Sequence, residues 1–73
     1  MAEDPDVLLS QIGLRILRRR QVLGLSQQEL AEKLGIAQTN IGRIEHGKQN
    51  LTIRTLAKLA DALGVTVAEL IVG

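Results

Sequence analysis

Gln38, Thr39, Asn40 and Arg43 lie in a short segment whose apolar positions are Ile41 and Ile44. Isoleucines three residues apart predict a helix with one inward side. The opposite side then offers Gln38, Thr39, Gly42, Arg43 and His46, with Asn40 at the flank. A Gln amide can pair in bidentate fashion with adenine, and an Arg guanidinium with guanine. A Thr brings a methyl group for thymine and a hydroxyl besides. A merely solvated helix face more often carries Glu and Lys. Here Lys is missing from 38–46, and Glu45 is the sole acid. The set suits contact with base edges in a nucleic-acid groove.

Other chemistries find little to work with. The chain has one His and no Cys, which rules out disulfides, thiolate metal sites and Cys–His nucleophiles. His46 alone cannot hold zinc, and at a helix end it reads as a surface or groove-edge residue. No Ser/His/acid set is present. Glu29 and Glu32 share a short helix, but Glu29 has a capping role. The glycines are spaced as helix stops rather than as a phosphate loop. No enzyme, cofactor or metal is expected.

The elements that must position the 38–46 segment are legible from punctuation. Gly24, Gly35, Gly47 and Gly64 each follow a stretch of helical periodicity, where a left-handed residue commonly closes a helix. Start signals alternate with these stops. Asp4-Pro5 suits an N-cap and a first-turn proline, opening a helix to about Leu23 with Ile12, Ile16 and Leu23 inward. The acidic 1–6 stretch is otherwise expected to be a flexible tail. Ser26 and Glu29 have capping-box spacing and open a helix with Leu30, Ala31 and Leu34 inward. A third helix runs from about Gln38 to Glu45. Thr52 caps a fourth, with Ile53, Leu56, Leu59, Ala60 and Leu63 inward. Thr66 and Glu69 form a second capping box for a last short helix through Leu70 and Ile71. The reading is all-α, five helices in one domain over 1–73.

Length and composition agree. Seventy-three residues make one small domain, and a 45% hydrophobic content without aromatic residues leaves Leu, Ile, Val and Ala to fill its core. No apolar run approaches the ~20 residues of a bilayer span, and the acidic start lacks the basic region of a signal peptide. A cytoplasmic protein without membrane association is expected. The net charge is only +1, yet Arg15, Arg18, Arg19 and Arg20 crowd a stretch, 7–28, that lacks acids. Concentrated charge can bind phosphate when the total cannot.

Two helices of about eight residues would be marginal alone and must be docked on longer ones. The tight turn at Gly35 between them sets a steep angle, the geometry of a helix-turn-helix. Its second helix can enter a groove about 12 Å wide.

The runs Gly24-Leu25-Ser26-Gln27-Gln28-Glu29-Leu30-Ala31 and Ile41-Gly42-Arg43-Ile44-Glu45-His46-Gly47-Lys48 resemble the Cro/cI (XRE-type) helix-turn-helix family. The resemblance continues through Leu56-Ala57-Lys58-Leu59-Ala60-Asp61-Ala62-Leu63-Gly64-Val65 and extends over roughly residues 10–71. It implies a compact bundle of the lambda-repressor-like type, with helices 2 and 3 as the helix-turn-helix. It also implies sequence-specific binding of double-stranded DNA by a transcriptional regulator such as a repressor.

Roles follow by matching positions. Gln27 implies a phosphate contact at a helix N-terminus. Gln38 and Thr39 begin the reading helix, and Arg43 reaches a guanine or a phosphate. Asn40 touches phosphate or sugar, or simply occupies its helical position. Lys48, Gln49, Asn50 and Arg54 fall where relatives grip the backbone; for Lys48 and Arg54 ordinary surface charge is the alternative. Arg19 replaces a common core leucine and is expected at a phosphate. Arg20 and Glu45 match an ion pair between the first and third helices. Gly42 departs from the family pattern: it either admits close approach to DNA or is a tolerated defect.

The apolar tail of Val67, Leu70, Ile71 and Val72 exceeds the needs of one small core. A homodimer on a near-palindromic operator is therefore expected, its reading helices about 34 Å apart. Leu14 and Leu17 are either covered by 7–9 or belong to an interface. The competing reading is an antitoxin-type or other module acting through a protein partner, such as a toxin or polymerase, because fold does not fix function.

Overall fold

Local chemistry sets where each helix starts. A computed structural model describes residues 3–73 of the chain. Among these the order is α1 (Pro5–Val22), α2 (Gln27–Leu34), α3 (Gln38–Glu45), α4 (Ile53–Leu63) and α5 (Val67–Val72), with no strand among the described residues. Asp4 Oδ1 accepts from the Asp6 N–H at 2.8 Å and caps α1. Within the 1–6 stretch, Asp4 is the cap, and Pro5 and Asp6 form the first turn. Met1 and Ala2 of that stretch lie outside the described residues.

Both capping boxes close. Ser26 Oγ accepts from the Glu29 N–H at 3.0 Å, and Glu29 Oε1 from the Ser26 N–H at 2.9 Å. The bond from the Ser26 N–H to the carboxylate is the main cause holding the Glu29 pKa below its ordinary value of 4.5. Thr66 and Glu69 repeat the exchange at 3.1 Å each way. Thr52 Oγ1 accepts from the Thr55 N–H at 3.0 Å. Such caps each contribute about 1 kcal/mol, which matters for helices this short.

The turn between α2 and α3 is made at Gly35, with φ of 70°. There the Gly35 N–H donates to Glu32 O at 3.2 Å and the Ile36 N–H to Ala31 O at 3.1 Å. This paired closure needs a left-handed residue, and an L side chain would be strained in it.

The core draws on all five helices: Ile12 and Ile16, Leu30 and Ala31, Ile41 and Ile44, Leu56, Leu59, Ala60 and Leu63, and Leu70. Full burial of one such aliphatic side chain contributes about 1.5–3 kcal/mol. Three expectations change. Leu23 and Ile53 were expected inward but are 43% and 71% exposed. Leu23 follows the last turn of α1 and Ile53 opens α4, so neighbours cover neither. Leu14 and Leu17 are not covered by 7–9, because those residues belong to α1 itself; Leu14 is exposed and Leu17 half-buried.

α1 ties the other helices together. Arg15 Nη1 donates to Ile71 O at 2.7 Å and to Leu70 O at 3.3 Å. Arg19 Nε donates to Leu63 O at 2.9 Å. Terminal helix carbonyls lack intrahelical partners, and the dipole there favours cations. Two arginines one turn apart thus close the ends of α5 and α4.

Candidate nucleic-acid interface

α3 is held from its inward side. Ile41 and Ile44 are fully buried, and Glu45 beside them is the buried acid of the core. The Glu45 side chain has no exposed surface, so its charge must be met inside. Arg20 Nε donates to Oε2 at 2.6 Å and Nη2 to Oε1 at 3.1 Å. Gln27 Nε2 adds a third bond, to Oε1 at 3.0 Å. Arg20 Nη1 also donates to Leu25 O at 2.9 Å, anchoring the loop before α2. The hydrogen bond to Glu45 raises the Arg20 pKa above its already high usual value. One carboxylate therefore joins α1, α2 and α3.

The backbones of α1 and α3 also touch. A Cβ on Gly13 would sit 2.3 Å from Ile44 O and 2.7 Å from Glu45 O. Only glycine permits this approach. The height of α3 above the body is thus set by main-chain contact, and its rotation by the Glu45 cluster.

With that side fixed, Gln38, Thr39 and Arg43 are exposed together on the other. None of their side chains makes a hydrogen bond among the described residues. Asn40 is half-buried at the flank. Ala37 begins α3 without a side-chain cap, leaving that helix start open to an external acceptor. His46 lies at the end of the same face, its Nδ1 2.7 Å from Gly42 O. A carbonyl can only accept, so Nδ1 carries the proton and Nε2 faces outward.

The structure distributes the other expected residues as follows. Gln27 opens α2 beside α3, its amide engaged with Glu45. Lys48, Gln49 and Asn50 line a recess of about 420 Å³ with His46, Ser10 and Asp6. Arg54 is exposed in the first turn of α4. Arg19, half-buried, donates from Nε to Leu63 O and so closes α4. Leu70 departs from expectation, being 2% exposed within the chain's own core and unavailable to a partner. Val67 and Ile71 are half-buried against that core, while Val72 is 76% exposed.

Two functional contacts escaped the sequence reading. The Gln27–Glu45 bond spans 18 residues and leaves no local periodicity to betray it. The Gly13 contact did have a signal: a glycine between Ile12 and Leu14, mid-helix, where it costs up to about 1 kcal/mol.

The helix-turn-helix family model (HTH_3) matches residues 16–70. The HTH-type transcriptional regulator y4dJ of Sinorhizobium fredii is 38% identical over 60 residues, 82% of this chain and 78% of that protein. The restriction-modification controller protein C.AhdI from Aeromonas hydrophila superposes with a TM-score of 0.81 at 35% identity, over 85% of this chain and 94% of that one. SinR, a master regulator for biofilm formation solved in complex with DNA, superposes with a TM-score of 0.75 at 42% identity, over 81% and 95%. The chain spans about half to four-fifths of the length of the curated relatives it matches. These relatives are named as regulators and controllers. No helix among the described residues is long and apolar enough to cross a membrane. In fold, in the spacing of its helices and in its relatives, the chain belongs to the Cro/cI-like (XRE-type) helix-turn-helix family of DNA-binding transcriptional regulators.

Proposed function

We propose that the chain binds double-stranded DNA sequence-specifically, as a cytoplasmic homodimer that lays α3 in the major groove of a near-palindromic operator. One observation carries this reading. The outward side of α3 presents Gln38, Thr39 and Arg43 unengaged, while its inward side is locked by Ile41, Ile44 and Glu45. Side chains able to read bases stand on a rigid element and have no internal employment.

Gln38, Thr39 and Arg43 are assigned to base edges. Gln27, Asn40, Lys48, Gln49, Asn50 and Arg54 are assigned to phosphates, which position the helix without specifying sequence. Glu45 orients Gln27, since one amide proton is committed to Glu45 and the other remains to meet a phosphate oxygen. Val67, Ile71 and Val72 on α5 supply the dimer contact. Twofold symmetry then sets two reading helices one DNA turn apart.

Selection of bound duplexes from a random library tests the reading, repeated with Gln38→Ala. Wild-type protein is expected to enrich a twofold site, and Gln38→Ala to alter the preferred base at one position per half-site. A dimer with about six phosphate contacts should show a log–log salt slope near −5. Uniform weakening without altered preference would assign Gln38 to positioning. No enrichment at low salt would hand the function to a protein partner.

A further inference from the structure

Gly42 sits at the centre of the outward face of α3, one turn on from Gln38 and three residues from Thr39. Glycine there weakens a helix of only 8 residues, and nothing inside the protein calls for it. Its φ is not in the left-handed region, unlike Gly35 or Gly64. A Cβ at this position would meet only the Gln27 side-chain amide, at 3.8 Å, an ordinary contact. Gly13 and Gly47 differ sharply, since a Cβ there would fall 2.3 Å from Ile44 O and 2.7 Å from Ser10 Oγ. No contact within the described residues requires glycine at 42.

The surface around it shows what the missing side chain leaves. Gly42 is part of a shallow, largely carbon-lined depression of about 520 Å³, walled by Thr39, Arg43, His46 and Lys48. The His46 ring is pinned at one edge by its bond to Gly42 O, so it cannot readily swing in to fill the space. A small apolar group entering from the groove would meet carbon, with Arg43 beside it for a base edge and Lys48 for a phosphate.

We infer that Gly42 is a specificity-determining residue whose notch on α3 seats the 5-methyl group of a thymine. The thymine methyl is the one apolar group that bases present in the major groove. This inference rests on the reading that α3 enters that groove.

The test uses the full chain and duplexes selected from a random library. Each thymine is replaced singly by deoxyuridine, which removes only the methyl. Wild-type affinity is expected to fall about fourfold at one thymine per half-site, the worth of one buried methyl group. Gly42→Ala should raise Tm by about 4–8 °C, through helix propensity. The same variant should bind the parent duplex about fivefold or more weakly, as overpacking a filled contact does, and lose the distinction between thymine and deoxyuridine. The inference is overturned if no thymine responds in the wild type, which requires no variant to fold. It is equally overturned if Gly42→Ala binds as the wild type does and keeps the methyl response. Should Gln38→Ala alter base preference while Gly42→Ala changes nothing, the groove reading stands and the notch falls. Should wild-type protein enrich no duplex, both fall together.

Discussion

Arg20→Ala is the perturbation for which the structure gives the clearest magnitude. The substitution deletes two bonds to Glu45 and one to Leu25 O, and leaves Gln27 as the sole donor, among the described residues, to a carboxylate with no exposed surface. Breaking one partner of a buried pair costs roughly 3–5 kcal/mol, because the remaining charge is stranded. A chain of 73 residues has about 4–11 kcal/mol of total stability to lose. At about 4–8 °C per kcal/mol for a domain of this size, Tm should fall by at least about 12 °C, or the cooperative transition should vanish. Arg18→Ala is the control, since Arg18 is exposed on the same helix. It should stay within about 0.5 kcal/mol of wild type. Thermal unfolding followed by circular dichroism reads both. The double change Arg20→Met/Glu45→Leu should recover much of the loss, because it removes both charges together. Equal melting temperatures for Arg20→Ala and Arg18→Ala would refute the account of Glu45 as a buried charge held by α1.

Three further outcomes are expected. Gly13→Ala should cost about 3 kcal/mol, because backbone carbonyls of α3 stand within the new methyl and cannot rotate away as side chains do; chemical denaturation reads it, and a neutral result would mean that α1 and α3 can separate freely. Leu70→Ala should destabilise the folded chain by about 2–5 kcal/mol whatever the protein concentration, while any loss from Val72→Ala should depend on that concentration, since only the first is buried within its own chain; a concentration-dependent loss at Leu70 would restore it to a subunit contact. Glu29 has a folded pKa below 4.5, so its contribution is present above that value and is lost as pH falls through the folded one. The Tm advantage of wild type over Glu29→Gln should therefore shrink on acidification from pH 6 to pH 3, and a constant gap would deny the carboxylate its part in the capping box.

Much of the architecture could be read from local chemistry. Ser26 with Glu29, Thr66 with Glu69, and glycines after periodic runs act within a turn or two, so their bonds are legible in the order of residues. Burial at helix ends is not local. Leu23 and Ile53 fit the periodic stripe, yet neighbouring elements stop short of them. The arginine crowding of α1 was read as charge for phosphate, without sign that Arg15 and Arg19 serve carbonyls 44 to 56 residues away. Such pairings depend on where helices end in space. The ion pair of Arg20 and Glu45 came from resemblance alone; the spacing of 25 residues carries no signal of its own.

The two sides of α3 have a consequence for how this protein could change. Ile41, Ile44 and Glu45 are locked against the body, Glu45 by bonds from α1 and α2, whereas the side chains of Gln38, Thr39 and Arg43 make no hydrogen bond among the described residues. If α3 reads DNA as proposed, stability and target choice are written on different residues of one eight-residue helix. Random replacement at the three outward positions should yield mostly folded variants, making α3 a cassette from which new addresses can be drawn without redesigning the scaffold.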